Sequence, residues 1–199
     1  MLSFGDYNRH WSYYLAIESQ LAETARFVEF SDQNKNTYSI EFARILLAAA
    51  SEIDVIAKQL CKLLDSNSEA GSIFQYQSVI NKYLPNITQE VIRISRYSAV
   101  LQPWENFALP NLPPTWWTAY NKVKHHRHTN FEDANLKNAM HAVGALHILV
   151  VYYYKTAYEA NSEKVVSFGV VMNALQPSAA LFSMDDRYYG RTRLIHSEL

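Results

Sequence analysis

Near the start of the chain, apolar side chains return at three- and four-residue steps: Tyr14, Ile17, Leu21, Ala25 and Val28. Glu18, Glu23, Arg26 and Glu29 fall at other positions. That period matches the α-helical turn and predicts an amphipathic helix from about residue 7 to residue 30. The polar run SDQNKN (31–36) reads as a loop, with Asn36 or Thr37 as N-cap of the next helix and Glu41 in its first turns. That helix, SIEFARILLAAASEIDVIAKQLCKLL within 38–65, is apolar most of the way round. Its Ala48, Ala49 and Ala50 permit close approach of neighbours, which predicts the central helix of a bundle. Arg44, Ala48 and Glu52 follow at four-residue steps and, with Glu41, define either one polar stripe or a solvated edge.

A third helix is predicted over 73–83, ending before Pro85. The stretch QEVIRISRYSAVLQPWENFALPNLPP (89–114) breaks the helical period and is rich in residues suited to extended chain. We read it as a long loop carrying a small hairpin. Pro113, Pro114 and Thr115 make a helix start, because proline is tolerated in a first turn. A short helix to His126, a turn at Thr129 and Asn130, and a long helix over 131–160 follow. Beyond 162, KVVSFGVVM suggests a strand, and LQPSAALFSMDDRYYGRTRLI an arm whose tyrosines and leucines pack on the body.

The chain thus reads as a mostly α single domain of four or five helices. A bundle over 1–160 carries a hairpin-like insertion near 89–112, and an extended C-terminal arm covers 161–199. Helices 38–65 and 131–160 are expected to pack antiparallel, with 115–127 wedging its tryptophans beside them. No internal repeat or linker interrupts this plan.

Composition supports a packed core: 199 residues, 49% hydrophobic and 14% aromatic, with five glycines and six prolines. A net charge of −1 offers no global attraction to nucleic acid or anionic membrane, so any such binding must come from a local patch. The single Cys61 sits among apolar neighbours as a small buried hydrophobe and fits a reducing compartment. The start MLSFGDYNRHWSYY is charged early and lacks a signal-peptide apolar core, so a cytoplasmic location is expected. AMHAVGALHILVVYYY (139–154) is shorter than the ~20 residues a membrane span needs and contains His141 and His147. It reads as a buried core helix, and no membrane association is expected.

The densest chemistry lies in TWWTAYNKVKHHRHTNF (115–131), where no carboxylate occurs between Glu105 and Glu132. On a helix, Trp117, Asn121 and His125 fall four apart, and Trp116, Tyr120 and Val123 form a neighbouring stripe suited to burial. His125 suits acid–base chemistry near neutral pH. Asn121 suits orienting a ligand or that imidazole, and Lys122, Lys124 and Arg127 suit holding phosphate oxygens. Trp117 suits stacking on a base. The same residue types also serve as caps, cross-links and wetted charges. Histidines 125 and 126 are adjacent and 141 and 147 six apart, spacings that do not make a zinc site. No glycine-flanked nucleophile or phosphate-cradling glycine loop is present, and no cofactor is expected.

An alanine-rich helix, a helix bearing YNKVKHHR and a long closing apolar helix together resemble the HEPN superfamily of small α-helical domains. The likeness covers roughly residues 5–160 and rests mainly on 38–65 and 115–158; WWTAYNKVKHHR is also similar to bacterial proteins of unassigned function with this layout. The resemblance implies a helical bundle, commonly dimeric, and in many members a metal-independent ribonuclease of toxin or defence systems. The family's site pairs an arginine with a histidine a few residues later, which places the histidine at His125. Positions 118–121 hold Thr, Ala, Tyr and Asn instead of the arginine, and Arg127 follows the histidine. An acidic residue on an earlier helix commonly supports the site, which implicates Glu52 and Asp54. Three functions are therefore carried forward. The first is a HEPN-like module binding RNA, a nucleotide or a protein partner through 121–127. The second is a divergent ribonuclease centred on His125, and the third a homo-oligomerising structural protein.

Overall fold

The structure is a computed structural model that describes residues 8–162 and 164–184. Helix α1 spans Arg9–Thr24 and turns Trp11, Tyr14, Ile17 and Leu21 into the core. It stops short of the expected residue 30: the Thr24 hydroxyl donates to the Leu21 carbonyl, and beyond it the chain continues as turns. Residue 7 lies outside the described part. Glu18, expected among the polar positions, is buried.

Helix α2 spans Ile40–Leu64 and is capped by Ser39, whose hydroxyl accepts the Phe42 N–H at 3.0 Å. Asn36 and Thr37 do not cap it. Thr37 instead accepts the Leu136 N–H, and Tyr38 and Asn135 form an antiparallel bridge. That bridge seats the start of α2 beside the start of α5, Leu136–Ser162. Far along both helices the Tyr153 hydroxyl donates to Gln59 Oε1 at 3.1 Å. The two central helices therefore run parallel, which corrects the antiparallel expectation. The intervening chain contains α3 (Ile73–Tyr83), a hairpin and α4 (Thr115–His126), and this long crossover returns the chain to the end where α2 began. Residues 131–133 form a 3-10 turn, so α5 starts at 136; the Asn135 side chain caps it by accepting the Asn138 N–H.

The hairpin pairs β1 (Ile92–Ile94) with β2 (Ala99–Leu101), with Ile92 opposite Leu101. A third strand, β3 (Ser183–Met184), adds antiparallel to the other edge of β1. The sheet lies close on α5 at Gly144, where a Cβ would stand 3.0 Å from Ile92 Cγ2. Trp104 Nε1 donates to the Ala145 carbonyl at 3.1 Å, and Gln77 Nε2 to the Leu109 carbonyl at 2.7 Å. These bonds pin the loop leading into α4.

KVVSFGVVM does not form the expected strand. Ser167 caps a short helix α6, Phe168–Ala174, by accepting the Val170 N–H, so the valines sit on a helix and in coil. Six α-helices are thus present among the described residues, more than the expected four or five. After α6 the chain returns to α1: Trp11 Nε1 donates to the Pro177 carbonyl, and Glu18 accepts backbone N–H groups from residues 180–182. Residues 185–199 of the expected arm lie outside the described part. The protein is a mostly α single domain. The apolar side chains of α5 from Ala142 to Tyr152 are buried within the chain itself, and no described helix is long and apolar enough to cross a membrane.

Candidate functional site: a cationic cleft between α4 and α2

Helix α4 is anchored by its tryptophans. Trp116 Nε1 donates to the Pro103 carbonyl at 2.8 Å, and the Trp116 ring meets Trp104 edge-on. Trp117 packs against Trp116 and Tyr120 and is 7% exposed. It is core, so its face is not presented to a base. The four-residue stripe failed here for a geometric reason. At 3.6 residues per turn, each four-residue step overshoots by about 40°, so Trp117 and His125 are about 80° apart.

The helix ends at His126, and the turn that follows is tied down. Thr129 Oγ1 and Asn130 Nδ2 both donate to the His126 carbonyl, the latter at 3.0 Å. The turn brings Arg127, His128 and Phe131 round to the first turns of α2. There they meet Ile40, Ala43 and Arg44, with Lys124 and His125 completing an open cleft of about 770 Å³. Three fixed cations and two imidazoles line it, and among the described residues no carboxylate does. At its edge Arg44 Nη1 donates to Glu41 Oε2 at 2.9 Å, both side chains reaching solvent, which makes this a weak pair. Lys124 Nζ lies 5.4 Å from the centre of the Tyr120 ring.

Lys124, His125 and Arg127 are therefore brought together, while three other sequence-predicted residues lie elsewhere. Lys122 does not line the cleft and pairs with Asp133 at 3.1 Å. Asn121 is exposed but does not line the cleft, and Trp117 is buried. In their place stand Arg44, His128, Ile40, Ala43 and Phe131. His128 was legible within the basic run. Nothing in the sequence linked Arg44 to it.

The two acidic residues also lie apart from the cleft. Glu52 accepts from His10 Nδ1 at 2.6 Å, with His10 Nε2 3.4 Å from Gln59 Oε1. Hydrogen bonding to Glu52 outweighs burial and raises the His10 pKa. Asp54 accepts from the Tyr76 hydroxyl at 2.8 Å and from Lys58. Burial first, and Asp54 second, raise the Tyr76 pKa. The stripe Arg44–Ala48–Glu52 suffers the same angular drift as that of α4, so Glu52 faces α1 and Arg44 faces α4.

A second polar cluster lies deep between α1 and α5. Tyr14 donates to Glu18 Oε1 at 2.7 Å, and His147 Nδ1 is 2.8 Å from the Tyr14 hydroxyl. Because the Tyr14 hydroxyl directs its proton at the carboxylate, its oxygen accepts, and Nδ1 carries a proton and donates to it. His147 Nε2 is then a bare acceptor, buried and without a partner among the described residues. Burial lowers the His147 pKa to about 3. Glu18 accepts the N–H groups of Ala180, Leu181 and Phe182 at 2.9, 3.0 and 2.9 Å. His141 borders a smaller hollow of about 340 Å³ with Asp32, Lys35 and Lys137; burial, then Lys137, lowers its pKa to about 4. Cys61 is buried, which raises its pKa to about 11. Among the described residues no three His, Cys, Asp or Glu side chains gather as a metal site.

Comparison with known proteins brings no match: no family model, no curated protein and no solved structure aligns significantly with the chain.

Proposed function

We propose that the chain is a HEPN-like module that binds RNA through the cleft between α4 and α2. The supporting observation is the convergence of Arg44, Lys124, His125, Arg127 and His128 on one open cavity whose lining, among the described residues, contains no carboxylate. A protein with net charge −1 has no general pull on polyanions, so this local field is what attracts phosphate. Arginines present paired N–H donors to phosphate oxygens, and lysine adds a point charge. A nucleotide offers the same phosphate chemistry on a smaller scale.

The test is RNA binding by the wild type and by the double variant Lys124→Ala with Arg127→Ala, across a salt series. Wild-type affinity should fall with salt, by a log–log slope of about 0.7 for each phosphate neutralised on a single strand. The double variant should bind weakly with a flatter slope. Unchanged binding in the variant would remove the cleft from the proposal.

A second reading is favoured by one feature, the two imidazoles of His125 and His128 on the same cleft. Metal-independent RNA cleavage needs a base and an acid. One imidazole takes the 2′-hydroxyl proton as the 2′-oxygen bonds to phosphorus. The other, as imidazolium, protonates the departing 5′-oxygen as its bond to phosphorus breaks. Arg44 or Arg127 would stabilise the phosphorane charge. Cleavage in EDTA that disappears in His125→Ala supports this reading. A clean wild-type preparation that leaves several RNAs intact sinks it.

A further inference from the structure

We infer that the cleft is built for single-stranded RNA with an unstacked base, and that Phe131 is the surface on which this base lies. The inference rests on the RNA reading above and deepens it. The cavity has two walls of different character. Its cations come from the end of α4, the following turn and Arg44, whereas Ile40, Ala43 and Phe131 supply an apolar wall. Ile40 is 73% exposed and so presents apolar surface to whatever enters the cleft. The Phe131 ring is half-buried and held edge-to-face against Tyr38, with centroids 5.5 Å apart, so its orientation is set before any ligand arrives. The Tyr38 backbone is held by the bridge to Asn135.

Charge complementarity selects a polyanion, and the apolar wall selects among polyanions. A duplex presents phosphates and sugars outward and keeps its bases stacked inside. Against it, Ile40 and Phe131 would lose hydration without gaining a π face. A single strand offers both parts at once: phosphates for the arginines and lysine, and a splayed base for the aromatic ring. At about 770 Å³ the cleft lies within the ~300–1,000 Å³ of ordinary ligand pockets, large enough for a base with its flanking phosphates. Trp117, the aromatic residue that sequence nominated for stacking, is in the core, and Phe131 takes that place.

The test measures binding of four probes matched in total phosphate charge: an unstructured oligouridine, an RNA duplex of half that length, an abasic ribose-phosphate strand and inorganic polyphosphate. The intact single strand should bind about tenfold more tightly than the other three. Phe131→Leu keeps apolar volume without the ring and should remove most of that preference while leaving the salt slope unchanged. Phe131→Tyr should retain it. Thermal melting of each variant confirms that it is folded, and Tyr38→Ala, at a more exposed position, should reduce the same preference by about threefold. Equal affinity for duplex, abasic strand or polyphosphate would overturn the base-stacking inference and leave phosphate binding standing. Absence of binding to every probe would overturn both.

Discussion

The cleft and the Glu18 cluster use the same kinds of side chain to opposite ends. Around Glu18, the carboxylate is saturated by Tyr14 and three consecutive backbone N–H groups, and His147 is held neutral by burial. Its polar groups face inward and fasten residues 180–182 to α1. In the cleft, five basic side chains face outward, and Glu41, at the solvent-exposed edge, is the only carboxylate among the described residues bonded to one of them. Burial turns histidine and glutamate into cross-links; exposure at the meeting of two helix ends leaves histidine and arginine available to a ligand. Composition does not separate these roles, but surroundings do.

The comparison breaks most visibly at Glu18. Replacing it with alanine strands the Phe182 N–H and the Tyr14 hydroxyl in buried surroundings and frees two part-buried backbone donors, so Glu18→Ala should destabilise the fold by roughly 4 kcal/mol. Chemical denaturation checks this; a change within experimental error would mean that the 180–182 segment is not held there. RNA affinity of the fraction that remains folded should be unchanged.

Acid should expose the contrast between buried and open histidines. His147 and His141 have folded pKa values of about 3 and about 4, below the 6.5 of the unfolded chain. The unfolded state therefore binds protons first as pH falls. Stability is full above about pH 6.5 and declines toward pH 4, by up to about 2.7 kcal/mol per pH unit for the two together. His10 works the other way. Its raised pKa contributes stability that is complete below 6.5 and is lost as pH rises through its folded value. Denaturation midpoints across pH 4–8 test both arms. His147→Phe and His141→Phe should each flatten the acid arm, and an acid arm unaltered in both would assign it to other groups.

At the cleft, Lys124→Ala with Arg127→Ala should weaken RNA binding about 100-fold, which is roughly 2.7 kcal/mol. Because both side chains are exposed, melting temperature should stay nearly the same. A large drop in stability would instead mark them as structural, like Glu18. The smallest effect concerns Glu41, which competes with a ligand for Arg44 through a weak surface pair. Glu41→Gln should raise RNA affinity two- to threefold, about 0.5 kcal/mol. Unchanged affinity would show that Arg44 does not engage the phosphates.

Much of the fold was legible because helical periodicity is local. The apolar series Tyr14, Ile17 and Leu21, the alanines of α2 and the run through α5 each announce a buried face, and the proline-rich approach marks the start of α4. The valines of 165–171 misled, because β-branched residues favour strands only where a partner strand exists; here a serine cap nucleates a helix. The site was half legible. Lys124, His125 and Arg127 share one short run, and an interval without carboxylates points to a basic patch. Counting in fours failed for Trp117 and Glu52, since the angular drift accumulates and a longer stripe curls away.

By itself, the sequence determined that this is a mostly helical domain with a tryptophan-anchored basic helix end. Its local periods and charges are properties of neighbouring residues and survive without knowledge of the rest of the chain. Only the tertiary structure decided that α2 and α5 run parallel, that Arg44 and Phe131 complete the cleft, and that Glu18 and His147 are buried cross-links. Those outcomes depend on where a long crossover returns the chain and on which helix ends meet there, and no local pattern of residues encodes that meeting.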